Sequence, residues 1–345
     1  MSIYNIHFCK KAELLKLQQF INKHWREGHV MGCSKELLEF QHDHYGADYY
    51  DFAVAENTIT GEFDAIYGFI RTWKYDTTET IPNVGWGAIW KVRDDIENPE
   101  IGTIAMKLMK YIILNGDIDI LASLGISQYF KSIAKSLHFN IGEMNQYYIA
   151  NETKDHFNII TNPEMPEVSE KLQYVVKLSS SVSQLSLKDN SLNPYKNLTY
   201  FINRYEKHPF FNYRFVEVYD DNELKLILAI RKIQVEDSYI YRIIDALGTL
   251  SVEKSISVFV QKLLHENDAE YLDCMCAGIN DSIFIKLGFT PIDRTKTIIP
   301  EHLNPVEHRY IPLEYAYADD EPMVIFKGDG DQDRPNNIKE VCKIK

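Results

Sequence analysis

The chain of 345 residues is long enough for two domains, since a globular domain usually takes ~100–200 residues. Apolar residues make up 45% of it and charged residues 25%, which is the composition of an ordinary globular protein. The net charge of −13 argues against a nucleic-acid partner, because no stripe of lysine and arginine offsets it. No apolar run approaches the ~20 residues of a spanning helix, and the N-terminus has no signal-peptide core, so we expect a cytoplasmic protein without membrane insertion.

The first half alternates helix-like and strand-like patterns. Apolar residues at helical spacing predict helices over 10–27, 103–115 and 128–139. Alternating or continuously apolar runs predict strands over 51–57, 63–73, 84–92, 119–126 and 145–152. The predicted order is helix, three strands, a glycine-containing turn, helix, strand, helix and strand.

Residues 151–194 differ in character from both flanking parts. They contain TNPEMPE and a serine-rich stretch around one strand-like run, LQYVVKL, so we predict a connector with one attached strand. The order of the first half then returns, beginning with a helix that stops before Pro209. A repeat this long indicates a duplicated domain, not a solenoid. We therefore predict domains over 1–150 and 195–345, the second including the C-terminal tail.

Both halves contain the same helix-to-strand corner, IKLGF at 285–289 and SLHF at 136–139. With the hairpin, the long third strand and the glycine turn, these corners resemble the acyl-CoA N-acyltransferase fold of the GCN5-related superfamily. The resemblance implies an α+β fold of mixed, mostly antiparallel sheets with helices on both faces, present here as two tandem units. NRYEKHP and KGDGDQDRPN make the whole chain similar to tandem proteins of this fold in bacterial surface-polysaccharide biosynthesis.

The resemblance implies that acyl-CoA inserts where the third strand of a unit splays from the next strand, with its pyrophosphate at a helix N-terminus. In the first half, ENPEIGTIA offers Pro99 and Gly102 at this turn, without the family's leading Arg or Gln. In the second half, DALGTLS offers Gly248, but Asp245 would repel a pyrophosphate. We therefore predict that acetyl-CoA binds the first half. The predicted contacts come from the backbone of Ile101, Gly102, Thr103, Ile104 and Ala105.

The acceptor requires groups that move protons and groups that bind substrate. No carboxylate lies within GWGAIWKV, so we predict that Asp245 of the second unit is the base or the partner of the acceptor amine. The resemblance places a Tyr acid where Ala134 stands, and Tyr129 is the closest substitute. Trp86 and Trp90 alternate onto one strand face, where aromatic rings stack on a sugar or nucleobase. Further substrate contacts are predicted from Arg242, Asp331, Asp333 and Arg334.

These residues also have plainer structural interpretations. Aromatic residues in a strand often belong to the core, and Arg242 has a possible ion-pair partner in Asp245. The tail GDGDQDRPN suits hydroxyl-rich sugars, a lock between the two domains, or a solvated end. In FQHDHYG, His42 and His44 flank an acid without a legible third ligand, which favours a solvated loop. The tail acids lack the Gly and Glu of a calcium loop, so we predict no metal.

The resemblance implies transfer of an acyl group, most simply acetyl from acetyl-CoA, to the amine of an amino sugar. A nucleotide-linked sugar on the way to a surface polysaccharide is the predicted acceptor. Two alternatives stay open. One is a tandem aminoacyl-transferase using charged tRNA, which the net charge of −13 disfavours. The other is a noncatalytic binding or scaffold protein in which both CoA turns have decayed.

Overall fold

The computed structural model describes residues 2–76, 78–98, 100–165, 172–303, 306–336 and 339. The helices are α1 Leu14–Phe20, α2 Val30–Cys33, α3 Lys35–His42, α4 Ile101–Asn115, α5 Gln128–Ser136, α6 Leu198–Phe201, α7 Ser257–Glu266 and α8 Asp281–Leu287. The first six strands are β1 Tyr4–Lys10, β2 Tyr49–Asn57, β3 Phe63–Arg71, β4 Val84–Val92, β5 Ile120–Leu124 and β6 Asn140–Glu143. The next six are β7 Asn145–Ala150, β8 Val175–Ser179, β9 Tyr213–Asp220, β10 Glu223–Val235, β11 Ser238–Gly248 and β12 Ala269–Ala277. The last three are β13 Thr290–Pro291, β14 Glu314–Tyr317 and β15 Ile325–Phe326.

The strands form two sheets of matching order. The first runs β1-β2-β3-β4-β5-β14-β6 and the second runs β8-β9-β10-β11-β12-β7-β13, with β15 attached to β12. In each sheet one parallel pair, β4–β5 or β11–β12, stands among antiparallel neighbours. The predicted fold class, two mixed and mostly antiparallel units with helices on both faces, is confirmed.

The two units exchange one strand each. β7, predicted as the last strand of the first unit, pairs with β12 and β13 of the second sheet. In return β14, in a part of the tail where no strand was predicted, lies between β5 and β6 of the first sheet. The connector strand β8 pairs with β9 at the edge of the second sheet. The prediction also missed β1, because its residues precede a charged stretch that was assigned to a helix.

Apolar clusters fill both faces of each sheet. In the first unit, α4 and α5 cover a cluster that includes Phe69 and Ile112, while α1, α2 and α3 cover one that includes Phe52 and Leu37. A third cluster joins the units and contains side chains from both sheets, such as Trp86. Burial of this shared cluster holds the units together, at roughly 25 cal/mol per Å² of apolar surface removed from water. No described helix has the length and apolarity needed to cross a membrane.

Candidate functional site

The strands β4 and β5 part at the centre of the first sheet. They pair in parallel from Val84–Ile120 to Gly87–Ser123; β5 then ends at Leu124 while β4 continues to Val92. The space between the diverging strands is a pocket of about 420 Å³. Its walls include Gly87 and Trp90 of β4, Gly102 and Ala105 of α4, and Ser127 and Tyr129 beside α5. The pocket therefore reaches from the sheet centre to the N-terminal ends of two helices.

A β-bulge lies in β4 beside this pocket. The β3–β4 register shifts between the pairs Phe69–Gly87 and Tyr67–Trp90, so β4 contains one extra residue there. A bulge interrupts the hydrogen-bond ladder locally, which allows a backbone N–H to face a ligand. It also reverses the direction of the following side chains. Trp86 packs in the cluster between the units, whereas Trp90 stacks on Tyr67 on the opposite face, with ring centroids 4.8 Å apart. The prediction that the two tryptophans share one face is wrong for this reason.

The N-terminal turn of α4 forms one wall of the pocket. Ile101, Gly102 and Ala105 line it, and a Cβ added at Gly102 would meet no atom within 4 Å. Ile104 is instead buried in the core, and the Thr103 hydroxyl donates to the Glu100 carbonyl. The turn thus combines a helix dipole with open space, which suits an anionic group. Pro99, the other residue predicted at this turn, lies outside the described residues.

Basic side chains near the pocket mouth are already paired with acids. Arg93 Nε donates to Asp95, and Arg93 Nη1 donates to Asp64. Lys91 pairs with Asp94, whose side chain is 86% exposed. Because Asp94 is exposed, this ion pair contributes only about 0–1 kcal/mol to stability. A bound phosphate can therefore replace Asp94 as the partner of Lys91 at low cost. Lys91 is therefore a cation that this pocket can offer to a ligand.

Two hydroxyl groups meet at the narrow end of the pocket. Tyr67 Oη and Ser123 Oγ lie 2.7 and 2.4 Å from the position that a Cβ on Gly87 would take, so only glycine leaves room for both. Burial raises the pKa of Tyr67 to about 12, so the phenol stays protonated at neutral pH. The ring of Tyr129 lines the same pocket, 62% exposed, with its centroid 6.4 Å from that of Trp90. Tyr129 was predicted from the sequence, whereas Tyr67 and Ser123 were not, because their only signal was their position on strands beside the splay.

The equivalent opening in the second sheet is filled by the tail. β11 and β12 pair in parallel as far as Ile243–Cys274. Beyond this point β15 pairs with β12, and the Gly328 N–H donates to the Ile244 carbonyl of β11 at 2.8 Å. The tail thus lies between the two strands as an added strand.

Asp245 is buried behind this plug. Its two carboxylate oxygens accept from Lys196 Nζ at 2.7 and 2.9 Å, and one of them also accepts from Tyr205 Oη at 2.7 Å. The same Lys196 Nζ lies 2.8 Å from Asp329 of the tail. Burial alone would lower the pKa of Lys196, but the two carboxylates raise it. Asp245 therefore holds the tail through Lys196 and is not available as a base, which corrects its predicted role.

Arg242 also has a structural position. It donates twice to Asp273, at 2.8 Å each, and once each to the carbonyls of Pro300 and Glu301. The side chain is 1% exposed and does not pair with Asp245. The connector covers the nearby turn. The Gly248 N–H donates to the Asn190 side chain, and the Ser191 N–H donates to the Gly248 carbonyl. Neither Arg242 nor this turn is open to a substrate.

The residues after β15 cross from the second unit to the first. Asp333 accepts from Tyr213 and Arg231 of the second unit, while Gln332 donates to the Leu124 carbonyl at the end of β5. Asp331 and Arg334 bind each other at 3.1 Å. Arg204 holds the chain before them by donating to the carbonyls of Gly328 and Gly330. Of the three interpretations given for GDGDQDRPN, these contacts support a lock between the two units. Asp333 binds the tail to the second unit, and Gln332 binds it to the first.

The histidines of FQHDHYG do not lie in a solvated loop. His42 is fully buried, and His44 Nδ1 lies 2.8 Å from the buried carboxylate of Asp51. His42 Nδ1 lies 2.8 Å from the Phe69 carbonyl, beside the β4 bulge. The expectation of a solvated loop is therefore wrong, since tertiary packing encloses a sequence that looks polar.

Solved structures support the fold. A GCN5-related N-acetyltransferase from Anabaena variabilis ATCC 29413 aligns with a TM-score of 0.52 at 8% identity, covering 91% of this chain and 72% of that one. A conserved protein of unknown function from Enterococcus faecalis V583, a probable N-acyltransferase, aligns with a TM-score of 0.51 at 8% identity and the same coverage. No family model matches the chain, and none of the curated proteins does. The likeness establishes the N-acyltransferase fold.

Proposed function

We propose that the protein is an acyl-CoA-dependent N-acyltransferase whose donor site is the pocket between β4 and β5. The observation that carries the proposal is the contrast between the two equivalent openings: one forms a pocket that no described segment of the chain enters, and the other is filled by the tail. The open one has a volume within the ~300–1,000 Å³ typical of small-molecule sites. Acetyl-CoA is the simplest donor, with its pantetheine arm extended along β4.

The donor's pyrophosphate would lie at the first turn of α4. It would face the backbone and the open space at Ile101, Gly102 and Ala105. Lys91 would form an ion pair with it once Asp94 is displaced. The acyl carbonyl would lie at the β4 bulge, where a backbone N–H can stabilise the oxyanion. The amine of the acceptor attacks this carbon directly, so no covalent enzyme intermediate is required.

Tyr129 is the proposed proton donor to the departing CoA thiolate. Its exposed ring lines the pocket from the first turn of α5. Tyr129→Phe keeps the ring and removes the proton. We expect turnover to fall by roughly 10- to 100-fold while the Kd for CoA stays the same. Unchanged turnover, measured by thiol release, would assign the proton to Tyr67 or to solvent.

For the acceptor we propose an amino sugar carried on a nucleotide, for surface-polysaccharide biosynthesis in the cytoplasm. The support is the joint between the units, where the tail brings Asp331 and Arg334 close to the acyl end of the pocket. Trp90 lines the pocket, whereas Trp86 faces that joint. The acidic net charge disfavours tRNA as the acceptor's carrier.

Gly102→Asp tests the donor site. The new carboxylate would stand where the pyrophosphate is proposed to bind, so we expect acetyl-CoA affinity to fall at least ~100-fold by titration calorimetry. Gly102→Ala is the matched control, because the added methyl group meets only open space. Equal binding by both variants would refute this donor site. No binding of acetyl-CoA by the unaltered protein would favour the noncatalytic scaffold. A thiol-release screen with UDP- and dTDP-linked amino sugars tests the acceptor.

A further inference from the structure

Three side chains of the first unit bury polar atoms that have no partner among the described residues. They are the amide of Gln41, Nε2 of His42 and Nε1 of Trp86, and each side chain is at most 1% exposed. Buried polar atoms are paired in the great majority of cases, because each unmade hydrogen bond costs about 1–3 kcal/mol. Such a group of atoms indicates a polar ligand or ordered water between them.

His42 and Trp86 share one side of the first sheet, beside the acyl end of the donor pocket, and Gln41 precedes His42 in α3. His42 binds the Phe69 carbonyl, and in the β3–β4 ladder Phe69 pairs with Gly87, which lines the pocket. The next pair along the ladder is Ile70–Trp86. His42 lies against Phe52, and Trp86 lies in the cluster between the units, so both are on the sheet face opposite α4. An acceptor reaching the β4 bulge from this face would pass these polar atoms.

The hydrogen bond to Phe69 determines the proton arrangement of His42. A carbonyl oxygen can only accept, so Nδ1 carries the hydrogen and Nε2 of the neutral ring keeps its lone pair. Burial lowers the pKa of His42 to about 4, while the Phe69 carbonyl, Asp51 and Asp331 raise it and Arg334 lowers it. The ring is therefore neutral at pH 7, with a free acceptor nitrogen.

We propose that His42 is the general base of the acyl transfer, with Nε2 receiving the proton of the attacking amine. This rests on the proposed function. The amine nitrogen forms a bond to the thioester carbon as its proton moves to Nε2, and the carbon–sulfur bond breaks with its electron pair leaving on the thiolate. The thiolate is protonated by Tyr129. The amide of Gln41 and the Trp86 N–H bind the polar groups of the acceptor next to its amine.

The tail closes this site from the second unit. A Cβ added at Gly330 would stand 3.6 Å from Trp86 Cβ, so the tail passes directly over the indole. The next residues of the tail carry the Asp331 carboxylate and the Arg334 guanidinium, which bind each other. The plug in the second sheet therefore also positions one wall of the acceptor site in the first.

His208 is a matched control within the same chain. The residue is only partly buried, but its Nε2 atom is enclosed and also has no partner among the described residues. Its Nδ1, however, accepts from the N–H groups of Phe210 and Phe211, so the hydrogen is on Nε2 and no lone pair is free. The two histidines share an enclosed, unpartnered Nε2 and differ in which ring nitrogen carries the hydrogen, which separates a role in catalysis from a role in packing.

The test compares His42→Asn with His208→Asn. Asparagine at position 42 keeps an N–H for the Phe69 carbonyl and removes the base. Acetyl transfer is measured to glucosamine, whose amine is largely protonated at pH 7, and to hydroxylamine, a weaker base and stronger nucleophile that is neutral at pH 7 and depends less on a general base. For His42→Asn we expect the rate with glucosamine to fall ~100-fold or more, the rate with hydroxylamine to stay within about threefold, and CoA affinity to be unchanged. His208→Asn should lower both rates equally or not at all.

Each other outcome is decisive. Full glucosamine activity in His42→Asn, or an equal loss with both nucleophiles at unchanged CoA affinity, would overturn the assignment. So would a wild-type protein that acylates hydroxylamine but no amine. Acylation of neither probe would instead contradict the proposed function. If His42→Asn does not fold by circular dichroism, Trp86→Phe provides the second test, because losing the indole N–H should raise the KM for glucosamine roughly tenfold and leave that for hydroxylamine unchanged.

Discussion

The two units contain the same parallel strand pair with the same divergence, yet one opening is a pocket and the other is packed. Between β4 and β5 the pocket of about 420 Å³ reaches the first turn of α4. Between β11 and β12 the chain inserts its own β15 and fixes it with the buried Lys196, Asp245 and Asp329. An opening between splayed strands exposes unpaired backbone groups, so it must bind something. Here the first copy keeps this opening as a pocket, whereas the second fills it with the tail, and the residues after β15 reach the first unit.

The largest effect is expected at the lock of the filled opening. Lys196→Met removes the cation shared by Asp245 and Asp329 and leaves two buried carboxylates without a counter-charge. We expect the free energy of unfolding, from urea denaturation, to fall by about 3–5 kcal/mol.

The connector also provides the control for this variant. Lys188 is 75% exposed and lies 3.6 Å from Glu223, so Lys188→Met should cost less than ~1 kcal/mol. Similar small losses in both variants would mean that the plug is not held by this ion cluster, and the contrast between the openings would lose its energetic basis.

A smaller effect is expected where the tail touches the strand it covers. A Cβ on Gly328 would lie 2.5 Å from Tyr205 Oη and 2.8 Å from the Ile244 carbonyl, so Gly328→Ala forces the tail away from β11. We expect a loss of about 1–3 kcal/mol in the free energy of unfolding, typical of overpacking in a filled site. If thermal melting shows no loss, the tail does not seal the second opening as tightly as its contacts indicate.

The smallest effect is expected from a glycine-to-alanine substitution beside the open pocket of the first unit, at Gly102. Gly102→Ala adds its methyl group to empty space on the α4 turn, and alanine favours a helix over glycine. The free energy of unfolding should rise by up to about 1 kcal/mol. A loss like that at Gly328 would show that the space beside α4 closes in solution.

The exchanged strands show where sequence reasoning stops. The hydrophobic pattern of NQYYIA predicts a strand, and residues 145–150 do form one, but no local pattern states which sheet a strand joins. The predicted division at residue 150 was drawn from chain order, whereas β7 and β14 each complete the sheet of the other unit. Pairing partners depend on contacts far apart in the chain, which the sequence of one segment does not contain.

By itself, the sequence determined the duplicated α+β order, and its resemblance to the N-acyltransferase fold implied the mixed, mostly antiparallel sheets. The order follows from local periodicity and turn residues, which act over a few neighbouring residues, and the choice of Gly102 over Gly248 for an anion stays a prediction. Only the tertiary structure decided that Asp245 is a buried lock, that a bulge separates Trp86 from Trp90, and that His42 is enclosed beside the sheet. Burial and pairing across long separations set these outcomes, because a carboxylate or an imidazole has the same appearance in the sequence whether water or another side chain is its partner.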